Sequence, residues 1–223
     1  MLNFHIVSIF PETIKAYLSE SILKRAIKNK KISVKFYNPK NWAEKSNNSN
    51  LKKPIDDSPF GGGPGMVLKA KPFLHAIKKA VGRKKKYQIF YFSPRGKIID
   101  NKWAKKMVEK NEIGNIRDII LVSGRYEGID SRVEKIFPGI RISIGDFVLT
   151  GGEVPTMVVI DIISRQISGV LGNFNSLEEK RVSAGNFFTR PADLKWNKKV
   201  YSVPKVLLSG NHKEIKKWQK NNF

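Results

Sequence analysis

The sequence predicts an α/β domain built on a parallel sheet, followed by a small basic C-terminal region. Three observations carry this. From residue 1 to 167, short apolar runs alternate with stretches whose apolar residues recur at helical spacing. Several runs end in glycine-rich turns: SPRG (93–96), GRYEG (124–128) and IGDFVLTGG (144–152). In a parallel sheet such turns gather at the carboxyl ends of the strands, where ligands bind. Beyond residue 168 the apolar pattern fades, which predicts a linker over 168–189 and a short helical appendage over 190–223.

Residues 4–10 are mostly apolar and β-branched and predict a buried first strand. Pro11 suits the first turn of a helix, and Ile14, Leu18, Ile22, Leu23 and Ala26 fall on one face of it. Lys24, Arg25, Lys28, Lys30 and Lys31 crowd its end, where cations complement the helix dipole. Ile32, Val34 and Phe36 alternate as a second strand, and the polar stretch 38–53 reads as a loop. Phe73, Leu74, Ile77, Ala80 and Val81 mark a helix, followed by the run RKKK (83–86), of a kind that is usually just solvated. Residues 87–92 predict a strand ending in a turn at SPRG; Trp103, Ala104, Met107 and Val108 mark the next helix. Residues 118–123 predict a strand, and 154–167 a nearly all-apolar helix, buried in the core or in a subunit interface. Arg165 emerges at its end. The tail VPKVLLSGNHKEIKKWQK gives a short apolar run and a basic helix.

Formal charge is 42 − 19 = +23, which points to a polyanionic partner, nucleic acid first and an anionic membrane surface second. The cations are spread over several elements rather than one amphipathic helix, which disfavours the membrane. A compositional reading competes, since 32 of the 42 are lysine and asparagine occurs 17 times. With no cysteine there are no disulfides or thiolate chemistry, and the three scattered histidines form no metal-ligand spacing, so no metal is expected. No leader pattern opens the chain and no apolar run approaches a membrane span, so a soluble, cytoplasmic protein is expected.

Two stretches stand out. Residues 124–155 carry the second and third glycine-rich turns, and six of the chain's 19 acids fall between Gly124 and Asp161. Acidic surroundings and exposed backbone suit a ligand bearing positive charge, of which S-adenosylmethionine is one. The other, IDDSPFGGGPGM (55–66), has glycines that let a ligand approach the main chain. It matches neither a Walker A loop nor a dinucleotide fingerprint.

Taken in order, IFPE, DDSPFGGGPGM, SPRG, LVSGRYEGIDSRV, SIGDFVLTGGEVP, SRQISGVLG, TRP and VLLSGNH resemble the bacterial tRNA (guanine-N1)-methyltransferases of the SPOUT superfamily, over essentially the whole chain. The resemblance implies a homodimer, with the active site at the subunit interface and a deep C-terminal trefoil knot in the main domain. It also implies a tRNA substrate methylated at N1 of guanosine 37, just 3′ of the anticodon, with S-adenosylmethionine bent among the knot loops. Matched motif by motif, the first cofactor loop is Tyr91, Phe92, Ser93 and Pro94, and the second Gly124, Tyr126, Glu127 and Gly128. The third is Ile144, Gly145, Asp146, Phe147, Val148, Leu149, Gly151, Gly152 and Pro155. Gly61, Gly62, Gly63, Pro64 and Gly65 resemble the loop that approaches the target base. Arg165 resembles the arginine that the partner subunit supplies to steady negative charge on that base.

One departure concerns the chemistry. The family's linker carries an aspartate read as general base, and the matching position here is Lys180. Glu178 and Glu179 stand immediately before it and are the candidate bases. A catalytically weakened tRNA-binding homologue is the alternative. Arg95 stands where the family often has glutamine. The C-terminal region stops soon after Trp218 where relatives continue, from which reduced tRNA affinity or dimer stability is expected.

Overall fold

A computed structural model of the chain describes residues 1–44, 54–112, 114–171 and 187–221, without the Lys220 side chain. The chain divides into two compact units, Met1–Leu171 and Gly172–Phe223. In the first, β1 (Leu2–Val7) leads through α1 (Pro11–Leu18) and α2 (Ser21–Lys28) to β2 (Ile32–Tyr37). A short antiparallel pair, β3 (Asp56–Asp57) and β4 (Val67–Leu68), frames the triple-glycine loop before α3 (Ala70–Val81). Then follow β5 (Tyr87–Ile98), α4 (Asn101–Glu112), β6 (Asp118–Val122), α5 (Arg132–Ile136), β7 (Ile140–Ser143) and α6 (Glu153–Arg165). The long strands form one sheet of order β2-β1-β6-β5-β7, every neighbouring pair parallel. The α/β expectation with a central parallel sheet holds.

Strand periodicity assigns the two cores. Along β6, Ile119 and Leu121 face one layer, where α1, α2, α4 and α6 cover Phe4, Ile6 and Phe90. Ile120 and Val122 face the other, where α3 and α5 cover Val7, Ile89 and Tyr91. Alternate residues point to opposite faces, so a strand with helices on both sides is apolar throughout.

Three elements differ from the sequence reading. The first predicted helix is two, broken at Ser19–Glu20, with Ser21 at φ +48°; apolar periodicity continued across the break because both helices bury the same face. SPRG is not a terminal turn. Strand β5 runs on through it, pairing with Ile142 of β7 first through Phe92 and again through Lys97, so that residues 93–96 bulge out between. A Cβ on Gly96 would stand 2.5 Å from the Ile142 backbone, so only glycine lets the returning strand close onto β7. The second unit holds the expected helices, α7 (Lys205–Leu208) and α8 (His212–Asn221). It adds a hairpin of β8 (Asp193–Trp196) and β9 (Lys199–Ser202), whose turn residues Asn197 and Lys198 both have positive φ.

Beneath α3 a buried polar group interrupts the apolar sheet. His5 is 2% exposed, its Nε2 lies 2.7 Å from Asp118 Oδ1 and its Nδ1 3.0 Å from the Tyr37 hydroxyl. A carboxylate only accepts, so Nε2–H donates to Asp118 and the Tyr37 hydroxyl donates to Nδ1. Burial, partly opposed by the Asp118 hydrogen bond, holds the imidazole below its ordinary value of 6.5, keeping it neutral. The unfolded chain therefore binds the proton more readily, and stability is complete above about 6.5 and lost as pH falls through the lower folded value. The expected result is that His5→Gln, which does not titrate, has a flatter urea-stability profile between pH 7 and 5 than the wild type. Superimposable slopes would count against this assignment.

Candidate functional site

The carboxyl ends of β5, β6 and β7 open into a cleft of roughly 590 Å³, within the range of small-molecule sites. Three segments wall it: the β5 bulge, the loop after β6 and the stretch from Arg141 to Pro155. The β6 loop turns sharply, with Tyr126 at φ +60° and the Gly128 amide donating to the Arg125 carbonyl at 3.1 Å. It is pinned to β4: Glu127 N donates to Met66 O (3.1 Å) and Leu68 N to Gly128 O (2.9 Å). In the third segment Phe147 (53% exposed) and Val148 (79%) leave apolar surface free at the cleft.

The loops are tied together by one buried carboxylate. Glu153, 1% exposed in the first turn of α6, accepts from Ser8 Oγ at 2.8 Å and from Arg125 Nε at 2.9 Å. Ser8 follows β1 and in turn accepts from the Phe10 amide, while the Arg125 guanidinium lies over the Phe10 ring. Beside it, Gly152 N donates to Gly124 O at 2.9 Å, and the Ser123 and Thr156 hydroxyls pair at 2.7 Å. The start of α6 has no side-chain cap, so the Glu153 charge also meets the positive end of that helix.

Tyr91 is a strut rather than an acid. Its hydroxyl donates to Phe137 O at 2.8 Å, and burial, aided by the Glu134 charge, pushes the phenol well above its ordinary value. Glu134 itself accepts from Arg141 Nε at 2.8 Å.

Of the cofactor residues expected from sequence, all but Gly145 and Asp146 line the cleft. Gly145 packs beneath the Phe147 ring and accepts from Ser143 Oγ, and Asp146 is exposed. Gly61, Gly62 and Gly63, all at positive φ, project into solvent beside a fully exposed Phe60. Gly65, at φ +87°, closes the loop against Glu127, where a Cβ would stand 2.6 Å from the carboxylate. The triple-glycine loop thus adjoins the cleft's second wall at Gly65. Arg165 ends α6, twelve residues or ~18 Å from Glu153, and among the described residues it has no ion pair. Glu178, Glu179 and Lys180 lie outside the described residues. The sequence reading did not name Arg125, Ile129, Ser131, Glu134, Arg141 or Thr150, which also line the cleft. Ser8 carried no signal, and Glu153 carried only that of an acid opening a helix after glycines.

The family model described as "tRNA (Guanine-1)-methyltransferase TrmD" matches residues 2–223. The chain belongs to this family. A tRNA (guanine-N(1)-)-methyltransferase of Clostridioides difficile is 41% identical over 225 residues, covering 98% of this chain and 91% of the relative. One of Pseudoalteromonas atlantica is 38% identical over 97% of this chain and 78% of its own length. Among solved structures, the tRNA (m1G37) methyltransferase of Aquifex aeolicus superposes with a TM-score of 0.74 at 34% identity, covering 98% of this chain and 88% of that one.

The Glu153 tie is open to test. Glu153→Ala leaves Arg125 and Ser8 facing each other without a carboxylate and should cost about 3 kcal/mol in urea unfolding, the low end for a broken buried pair because Arg125 keeps contact with water. Glu153→Gln, which still accepts from Ser8, should lose less. Equal, negligible losses would show that the loops are held by other contacts.

Proposed function

We propose that this chain, a tRNA (guanine-N1)-methyltransferase by family, acts on guanosine 37 with S-adenosylmethionine as donor. The observation that carries the reading is the cleft at the strand ends, where all three motif loops meet. Phe92, Ile142, Ile144, Phe147, Leu149 and Pro155 offer apolar walls for a flat base. Glu127 offers a carboxylate toward a cationic end, and the glycines leave backbone amides accessible. This donor set fits a nucleoside joined to an amino acid. When bound, the donor supplies an electrophilic methyl group; the chain's own residues must orient the guanine and manage its proton.

Neutral guanine N1 is a poor nucleophile. Glu178 or Glu179 removes the N1 proton, worth roughly 100-fold or more in rate. Removal leaves negative charge on the ring, which a nearby guanidinium stabilises. Arg165 is assigned that role from a second copy, since its own helix carries it ten residues, ~15 Å, past Pro155, the last residue lining its own cleft. Val154 is 47% exposed and Met157, Val158 and Ile162 half-buried, an apolar face on α6 suited to that copy. The triple-glycine loop beside the second wall suits entry of the base. The same reading includes the trefoil knot among the cofactor loops and a cytoplasmic setting; among the described residues no helix is long and apolar enough to cross a membrane.

Incubating the chain with methyl-labelled S-adenosylmethionine and a tRNA transcript bearing guanosine 37 should yield 1-methylguanosine on nucleoside analysis. A transcript with adenosine there should yield none. No product from the wild type would leave a tRNA-binding homologue without its base, as Lys180 would suggest. Arg165→Ala should lower kcat about 100-fold or more, and so should glutamine at one of Glu178 and Glu179. Full activity of the Glu178→Gln, Glu179→Gln double variant would refute a glutamate base.

A further inference from the structure

The cleft occupies one edge of the sheet, and the opposite edge is strongly basic. Lys31, Arg117 and Lys86 immediately precede β2, β6 and β5. Their strands pair in register, Leu2 with Ile32 and Asp118 with both Asn3 and Tyr87, and Arg117 N donates to Lys86 O. These three cations therefore stand in one row about 14 Å long. Lys28 and Lys30 flank it from the end of α2, Arg83, Lys84 and Lys85 from beyond α3, and Lys110 from the last turn of α4. Of the nine, only Lys84 is half-buried, donating to the Ala80 and Val81 carbonyls.

No ion pair with an acid reaches any of them among the described residues. Asp118, the nearest carboxylate, is turned to His5 and Asn3, Glu109 pairs with Lys105, and Glu112 is the exposed acid at the end of α4. Helix dipoles account for Lys28 and Lys110, whose positions close helices. They do not account for Lys31, Arg83, Lys85, Lys86 and Arg117, which lie in the connections beyond. Separate runs of sequence have been brought by the topology to one surface, where they repel one another within a screening length.

We propose that this edge binds the phosphate backbone of RNA. Lysines dominate it, and lysine neutralises phosphates as a point charge without reading bases. The proposal rests on the functional reading above, because α6 runs from the cleft to this same edge. A Cβ on Gly169, just past Arg165, would stand 2.9 Å from Lys31 Nζ. The edge therefore adjoins the arginine assigned to a partner's cleft, and RNA whose guanosine enters that cleft passes over it.

The test is binding of an unmodified tRNA transcript to the full chain across 50–200 mM salt. Glutamine at Lys30, Lys31, Arg83, Lys85, Lys86 and Arg117 together should weaken binding about ten-fold or more and lower the salt slope by about two or more. Lys105→Gln with Lys106→Gln, on exposed positions of α4, should change neither appreciably. S-adenosylmethionine affinity without RNA, a property of the cleft, reports whether the fold is intact; if the sixfold variant fails to fold, Lys86→Gln with Arg117→Gln is read alone, with about three-fold weakening expected. Unchanged affinity and slope overturn the proposal. So does an equal loss per charge in the α4 control, or loss of binding to anionic phospholipid vesicles with RNA binding intact. A wild type that binds RNA through this edge but forms no 1-methylguanosine would sink the functional reading and leave this one standing.

Discussion

Glu153 is placed where the end of β1, the loop after β6 and the start of α6 would otherwise separate. Its two oxygens are divided between a hydroxyl and a guanidinium from distant parts of the chain, 145 and 28 residues away. An ionised group so deeply buried is tolerable only when each oxygen is paired. The pairing fixes the backbone of residues 123–125 against residue 152. The cleft inherits its shape from that junction, since one of its three walls begins there and another ends there.

The strand bulge at residues 93–96 supplies the third wall by a different device. The chain leaves β7 and returns to the same partner residue, Ile142, within five positions. Backbone that would have been spent on ladder hydrogen bonds is turned toward the cleft instead. The site thus joins glycine-rich backbone to apolar side-chain walls, which suits positioning a ligand more than attacking it.

Parallel topology also sorts charge. Strands ending in glycine turns gather at one edge, while helix ends and the basic connections after them gather at the other. A chain with +23 net charge thereby keeps at one pole a cleft whose lining mixes Arg95, Arg125 and Arg141 with Glu127 and Glu134, and at the opposite pole a surface of cations.

Much of this was legible in the residues alone. Alternating periodicities gave the α/β class, and the motif loops named most of the cleft lining because glycine turns at strand ends leave a local mark. The break at Ser19–Glu20, the β8–β9 hairpin and the bulge within β5 were not legible, because apolar spacing does not record where a chain bends or which partner a strand rejoins. Sequence determined the α/β class, the family and most residues of the three loops. Tertiary structure alone decided that Ser8 and Arg125 share the Glu153 carboxylate, that Arg165 is carried away from its own cleft, and that lysines and arginines from three separate connections form one edge. Contacts across such separations follow from packing, and local chemistry carries no trace of them.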